Sequence, residues 1–287
     1  MPSLRSLRKR IGTVRSTQKI TRAMKMVAAA KLRRAQEVAE RARPYAGKLT
    51  EMLSAVVADL GADLARHPLL ARREERRLDL IVVTSDRGLC GGYNANLVRL
   101  AEAFVREHAT ATIAFSLIGR KGIDHFLRRR GATVIAQRTG ILTTSPTELA
   151  GAVAEPLIAR FAAAETDAVY LIYSRFRSAL SQVPTVVPLL PVKASAGDGS
   201  NVEYLFEPDR AALLARLLPR YVEALVTQAV LEAIASEHGA RMTAMDNATS
   251  NASDMIDRLT LSMNRARQAG ITKELMEIVS GAEALKG

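Results

Sequence analysis

The most unusual run in the chain is Thr84-Ser85-Asp86-Arg87-Gly88-Leu89-Cys90-Gly91-Gly92-Tyr93-Asn94, set between a predicted strand and a predicted helix. Glycines at such a junction let backbone N–H groups and a helix N-terminus converge, an arrangement that binds phosphate. The spacing is neither the dinucleotide fingerprint nor the phosphate-loop sequence, and Gly119-Arg120-Lys121-Gly122 lacks it as well. The residues favour a structural loop, in which the glycines among Ser85, Asp86, Gly88, Cys90, Gly91 and Gly92 relieve crowding where the chain leaves the sheet. Cys90 is the single cysteine, which excludes an intrachain disulfide framework and fits a reducing compartment. A reactive thiolate needs a nearby base or helix terminus, and no motif sets His67, His108, His125 or His238 beside Cys90. Those histidines form no metal-ligand cluster. The acidic residues show no local pair suited to acid–base work. No catalytic residue, metal or cofactor is expected.

The second chemical signal is charge. The formal net charge is +12, and nearly all of it sits at one end. Residues 1–43 hold Arg5, Arg8, Lys9, Arg10, Arg15, Lys19, Arg22, Lys25, Lys31, Arg33, Arg34, Arg41 and Arg43, against only Glu37 and Glu40. From Glu237 onward acids and bases nearly balance. A basic helix can attract nucleic-acid phosphates. Its bases lie around much of the helix, however, and no aromatic residue in 1–43 offers a stacking surface. A protein partner with acidic loops fits this distribution, and a nucleic-acid-binding module is the alternative. The apolar runs near 78–84 and 183–192 are too short to span a membrane. The basic start lacks the apolar core of a secretory signal. It shares the acid-poor character of a mitochondrial presequence, but its helical pattern continues for forty residues.

These residues must be positioned by larger elements. Ser3–Arg43 and Arg220–Gly287 contain no proline and are rich in helix formers. Leu4, Leu7, Ile11, Val14, Gln18 and Thr21 recur at three- and four-residue steps, with Ile20, Met24, Val27 and Ala28 extending the stripe. Met242, Met245, Thr249, Ala252, Ile256, Leu259, Met263 and Ala266 repeat the same alternation, which is coiled-coil spacing with a small-residue seam. An antiparallel intrachain pair is expected, in which about 60 helical residues would measure about 90 Å. Pro44 should kink or interrupt the first helix, with a second stretch from Tyr45 to about Arg66. Between the ends, strands are expected at Leu78–Thr84, Thr112–Gly119, Thr133–Gln137 and Asp167–Arg175, with Ser181–Pro191 returning as a hairpin. Helices are expected at Asn94–His108, Lys121–Arg130 and Pro146–Ala164, the last capped by Ser145 or Thr144. Gly197–Ser200 reads as a loop and Tyr204–Phe206 as extended. A helix should run from Pro208 or Asp209 to Leu218, with the long C-terminal helix beginning at Pro219. The fold class is therefore α/β: a long antiparallel coiled coil of N- and C-terminal helices with a central Rossmann-like sheet-and-helix domain. Its expected divisions are 1–66, 67–208 and 209–287.

Three ordered matches identify a family. They are Thr17–Lys31 (TQKITRAMKMVAAAK), Thr84–Leu97, and the C-terminal series that includes Ala240-Arg241-Met242, Asn264–Ala269, Ile271-Thr272 and Glu277–Ala282. Across essentially its full length the chain resembles the gamma subunits of bacterial F-type ATP synthases. The resemblance implies a non-catalytic shaft inside a ring of alpha and beta subunits, present as one copy in a hetero-oligomer. Its middle domain would lie at the foot beside epsilon and the c-ring, with delta a further member of the complex. It would touch the inner membrane peripherally, through the c-ring, on the cytoplasmic face, and no nucleic acid would be involved. Proton flow would turn ring and shaft, and the shaft would drive the beta sites in sequence. By the same resemblance Met24, Lys25, Met26, Arg267, Gln268 and Thr272 would meet beta, with Lys25 attracting carboxylates there. Tyr204, Glu207 and Asp209 would meet epsilon or the c-ring. The chloroplast members' thiol switch requires a further cysteine-bearing segment, which this chain lacks; Lys193–Asn201 is too short to supply one.

Overall fold

The computed structural model describes residues 3–58, 67–129, 131–192 and 210–284. It contains five α-helices, one short 3-10 helix (Pro68–Leu70) and five strands among these residues: α1 (Leu4–Ala58), β1 (Arg77–Val83), α2 (Tyr93–Glu107), β2 (Thr112–Ile118), α3 (Arg120–Leu127), β3 (Thr133–Arg138), α4 (Pro146–Ala162), β4 (Ala168–Phe176), β5 (Gln182–Leu190) and α5 (Arg210–Ala284). The chain divides into two compact units. One comprises Met1–Val27 with Met242–Gly287, and the other Ala28–Arg241, so α1 and α5 supply residues to both.

In the second unit the sheet order is β3-β2-β1-β4-β5. β1 pairs parallel with β2 and β4, β2 pairs parallel with β3, and β5 returns antiparallel to β4. The hydrophobic run of β1 is explained by its central place, covered on both faces. Strand alternation divides its side chains. Leu78, Leu80 and Val82 join Leu97, Phe104, Phe115 and Phe126, the side covered by α2 and α3. Ile81 and Val83 join Leu157 and Phe161 of α4, Leu53 and Val56 of α1, and Leu218 and Val222 of α5. Asp79, the one charge in that run, is buried and bidentate to Arg160 at 3.0 and 3.3 Å. The free edge at β5 carries Pro184 and Pro188, two positions that cannot donate to an added strand.

The first unit is a helix pair. Lys25 Nζ lies 2.6 Å from Asp246 Oδ1, and Thr249 Oγ1 donates to Thr21 Oγ1 at 2.8 Å. Four residues forward on α1 correspond to three backward on α5, so the helices are antiparallel. Leu7, Ile11 and Thr21 are buried on α1, and Met245 and Ala252 on α5, at the expected seam positions. Ile20 and Val27 instead remain 60% and 56% exposed. They lie off the three-four positions that Leu7, Ile11 and Thr21 define.

Two prolines do not end helices as expected. α1 passes through Pro44, and α5 runs unbroken from Arg210 through Pro219. In each case the carbonyl that loses its partner belongs to an exposed residue, Glu40 or Ala215, where water can satisfy it. Ser145 stands at the N-cap of α4 but makes no side-chain capping bond. The expected loop at Gly197–Ser200, the extended piece at Tyr204–Phe206, a helix start at Pro208 or Asp209 and the end near Arg66 lie outside the described residues.

Candidate functional site

In a doubly wound sheet the usual ligand crevice lies beyond the carboxyl ends of the strands, where strand order reverses. Here that point falls between β1 and β4, beside the Thr84–Asn94 loop. The loop's polar groups are directed inward. Asp86 accepts from the backbone N–H groups of Arg120 (3.0 Å), Gly140 (2.9 Å) and Ile141 (3.0 Å), the donors an anion would otherwise use. Asn94 Oδ1 accepts from Ser85 N at 3.0 Å, and Ser85 Oγ bonds Arg87 O at 2.6 Å. Thr84 Oγ1 bonds Ile118 O (3.0 Å) and accepts from Gly122 N (2.9 Å). The arrangement is a knot joining β1, α3 and the connection after β3.

The glycines act differently from the crowding expectation. A side chain at Gly88 would meet only Lys121, at 3.9 Å, while Gly91 supplies a positive φ of 57°. Crowding occurs across the loop instead, where a Cβ on Gly119 would stand 2.1 Å from Thr84 O. Leu89, with φ 63°, is held in the left-handed region and is 64% exposed. Cys90 is buried with its sulfur 3.3 Å from Asn94 Nδ2, and burial pushes its thiol pKa up, away from a nucleophilic thiolate.

α5 crosses this same edge. Tyr93 OH donates to Ala233 O at 3.2 Å, Ser236 Oγ donates to Ser174 O at 2.8 Å, and Arg241 Nη2 donates to Gly88 O at 3.3 Å. Residues 233–241 therefore bond to both sides of the switch point and fill the place of a ligand. Glu237 is fully buried, with Oε1 2.6 Å from Arg241. Burial raises its pKa, and Arg241 opposes the shift. Beside it His238 is buried, which lowers its pKa to about 4 and keeps it neutral near pH 7. The Glu237–Arg241 spacing is that of an ordinary surface pair on a helix, so sequence reasoning missed it. Only burial marks it. Asp246, the partner of Lys25, was missed for another reason: the two lie 221 residues apart, and only the register of the antiparallel helices brings them together.

The residues expected to meet beta fall at two levels of the helix pair. Met24 and Lys25 are half-buried and Met26 is 66% exposed; Lys25, expected to draw an outside carboxylate, is engaged with Asp246. Arg267, Gln268 and Thr272 are all exposed. They begin 21 residues beyond Asp246, about 30 Å along α5, so the structure does not bring the two groups together. The pairing places Leu4, the first residue of α1, opposite Ala266 or Arg267. Past that point α5 has no α1 partner, and every residue from Ile271 to Gly281 is exposed. Tyr204, Glu207 and Asp209 lie outside the described residues. Among the described residues no helix is long and apolar enough to cross a membrane, and no acidic, histidine or cysteine group could hold a metal ion.

A family model described as ATP synthase matches residues 3–285. The chain is 52% identical to the ATP synthase gamma chain of an Anaeromyxobacter species and 52% identical to that of Pelotomaculum thermopropionicum, covering all of both chains in each case. Among solved structures it is similar to a chain of the Tetrahymena thermophila mitochondrial ATP synthase central stalk and c-ring (TM-score 0.62, 27% identity, 80% of this chain and 99% of that one). It also shares its fold with a chain of the Euglena gracilis mitochondrial ATP synthase (TM-score 0.70, 22% identity, 98% of this chain and 94% of that one).

Proposed function

The chain belongs to the gamma-chain family of ATP synthases, and we infer that it is the non-catalytic central-stalk subunit, the rotor shaft, of a bacterial F-type enzyme. It couples rotation of a proton-driven c-ring to ATP synthesis on other subunits, and in reverse it is turned by their hydrolysis. The observation that carries this reading is the bare end of α5. Ile271, Leu275, Met276, Ile278 and Val279 are all at least half exposed on a helix that has outrun its partner. Large apolar side chains gathered and exposed on one helix end mark a surface that another protein covers. A sleeve formed by alpha and beta subunits supplies that surface.

Within this reading Arg267, Gln268 and Thr272 meet beta near the tip. Arg267 brings a planar guanidinium suited to directed bonds with carboxylates. Met24, Lys25 and Met26 meet beta lower down. There Asp246 shares Lys25 with any acidic partner loop, which moderates the attraction. The surplus of bases on α1 supports an acidic partner surface. Tyr204, Glu207 and Asp209 face epsilon or the c-ring, and delta belongs to the same assembly. One copy serves each complex, held peripherally at the cytoplasmic face of the inner membrane through the c-ring. The filled crevice above the sheet supports a subunit without nucleotide chemistry of its own.

Co-expression with alpha and beta, isolation of the complex and measurement of its ATPase test the assignment. A defined complex with one copy of this chain is expected, and the purified chain alone should turn over no ATP. Failure to copurify, together with salt-sensitive nucleic-acid binding through residues 5–34, would point to the nucleic-acid module instead.

A further inference from the structure

Within the α/β unit, three large apolar side chains of α1 stand outside the core at a regular interval. Val38, Tyr45 and Met52 are 42%, 60% and 39% exposed and lie seven residues apart. Seven residues make just under two turns, so the three form a row about 21 Å long on one side of the helix. A neighbouring face meets the core: Leu49, Leu53 and Val56 are buried there with Ile81, Leu157 and Leu218. Alternating with the apolar residues come Arg34, Arg41 and Lys48, all exposed. The series Arg34-Val38-Arg41-Tyr45-Lys48-Met52 therefore has the three-four spacing of a helix seam, with bases in every second place. Single apolar residues scattered on a surface are ordinary, but these are aligned. Their types also count, since Arg, Tyr and Met are enriched where proteins meet.

Charge decides what kind of surface fits. The acids of residues 28–58 are Glu37, Glu40 and Glu51. Glu37 lies 3.5 Å from Arg33, and Glu51 is held by Lys48 at 2.5 Å. Among the described residues Arg34 and Arg41 form no ion pair. We propose that this row docks an amphipathic helix of another chain, one whose apolar ridge is bordered by Asp or Glu. Val38, Tyr45 and Met52 enter the spaces between its side chains, and Arg34 and Arg41 take its carboxylates. A helix packed lengthwise on three such side chains is held too firmly to be exchanged between fixed subunits during rotation, so it turns with this chain. That last step rests on the central-stalk reading above, to which the row adds a companion helix on the rotor.

The test compares the free full-length chain with the complete, detergent-purified complex. Val38→Cys, Tyr45→Cys and Met52→Cys are made singly, with Glu40→Cys as an exposed control on the same helix; the native Cys90 is buried. In the free chain all four thiols should react with a maleimide at similar rates. In the complex the three row thiols should slow at least about tenfold, while the control keeps its rate. Adding Arg34→Glu/Arg41→Glu should return roughly fivefold of that rate without moving the melting temperature of the free chain. A photoreactive maleimide on Tyr45→Cys should join this chain one-to-one to a helical segment bearing Asp or Glu, with ATP hydrolysis retained after illumination. If Tyr45→Cys does not assemble, Val38→Cys or Met52→Cys carries the same probe. Row thiols that stay fast in the complex overturn the proposal, and so does slow labelling in the free chain, which would mean that the chain covers its own row. A join to lipid, to a second copy of this chain, or to a ring subunit with hydrolysis arrested overturns it equally. A wild-type complex that does not form would instead sink the central-stalk reading, and the companion helix with it.

Discussion

The two units of this chain solve opposite problems with similar helices. The α/β unit satisfies itself. β1 is buried along six of its seven residues, Asp79 and Asp167 each meet an arginine, and the polar groups of the Thr84–Asn94 knot find partners inside the unit. The helix-pair unit buries a narrow seam and leaves large apolar side chains outside, from Ile20, Met26 and Val27 to the run beyond Ile271. Apart from the Val38–Met52 row of α1, stability resides in the first and unfinished surface in the second. A substitution should therefore affect folding in one unit and coupling in the other.

The largest effect on stability is expected at the sheet core. Phe161→Ala empties a buried site beneath the Arg73 guanidinium, 4.6 Å from the ring centroid. It should cost about 3–5 kcal/mol in denaturant unfolding of the purified chain. Asp86→Ala leaves three backbone N–H groups without their carboxylate, and roughly 2–3 kcal/mol should be lost. A loss under about 0.5 kcal/mol would mean the knot is ornamental.

Acid should act on the same unit through His238. Its folded pKa of about 4 lies below the unfolded value near 6.5, so between these limits the unfolded chain binds more protons. The contribution of neutral His238 is complete above about pH 6.5 and is lost as pH falls toward 4. Glu237, whose raised pKa favours protonation in the fold, works against that loss. Melting temperature followed from pH 7 to pH 4 should fall, and His238→Phe should flatten the slope.

In the helix pair the expected stability effects are small. Lys25 and Asp246 are 41% and 57% exposed, so a double-mutant cycle should give about 0.2–1 kcal/mol, fading with salt. Ending the chain at Gly270 should change unfolding of the purified chain by less than about 0.5 kcal/mol, yet weaken coupling in the assembled complex. Normal coupling without residues 271–287 would erase the distinction between the units.

Much of the α/β unit was legible because each strand of the parallel sheet is a short apolar run bounded by turn residues, and β1, β2 and β3 end within about a residue of expectation. The coiled-coil seam on α5 was readable from its three-four alternation. Prolines misled, because Pro44 and Pro219 carry a local penalty of about 3 kcal/mol that tertiary packing offsets. Leu49 and Leu53 after the first, and Leu217, Leu218 and Val222 around the second, are buried in the core. Ile20 and Val27 looked like seam residues because they are large and apolar, although they lie off the three-four positions that Leu7, Ile11 and Thr21 define. The Glu237–Arg241–Gly88 link was invisible for a different reason: its carbonyl acceptor has no sequence signature, and its ion pair resembles any exposed i,i+4 pair.

The central claim is that this chain turns within a fixed ring of subunits. Leu180, 81% exposed at the β4–β5 hairpin, offers a labelling position as Leu180→Cys, since the native Cys90 is buried. With the alpha and beta subunits immobilised, a probe on residue 180 should rotate continuously in one direction during ATP hydrolysis. A stationary probe while hydrolysis proceeds at full rate would contradict the account.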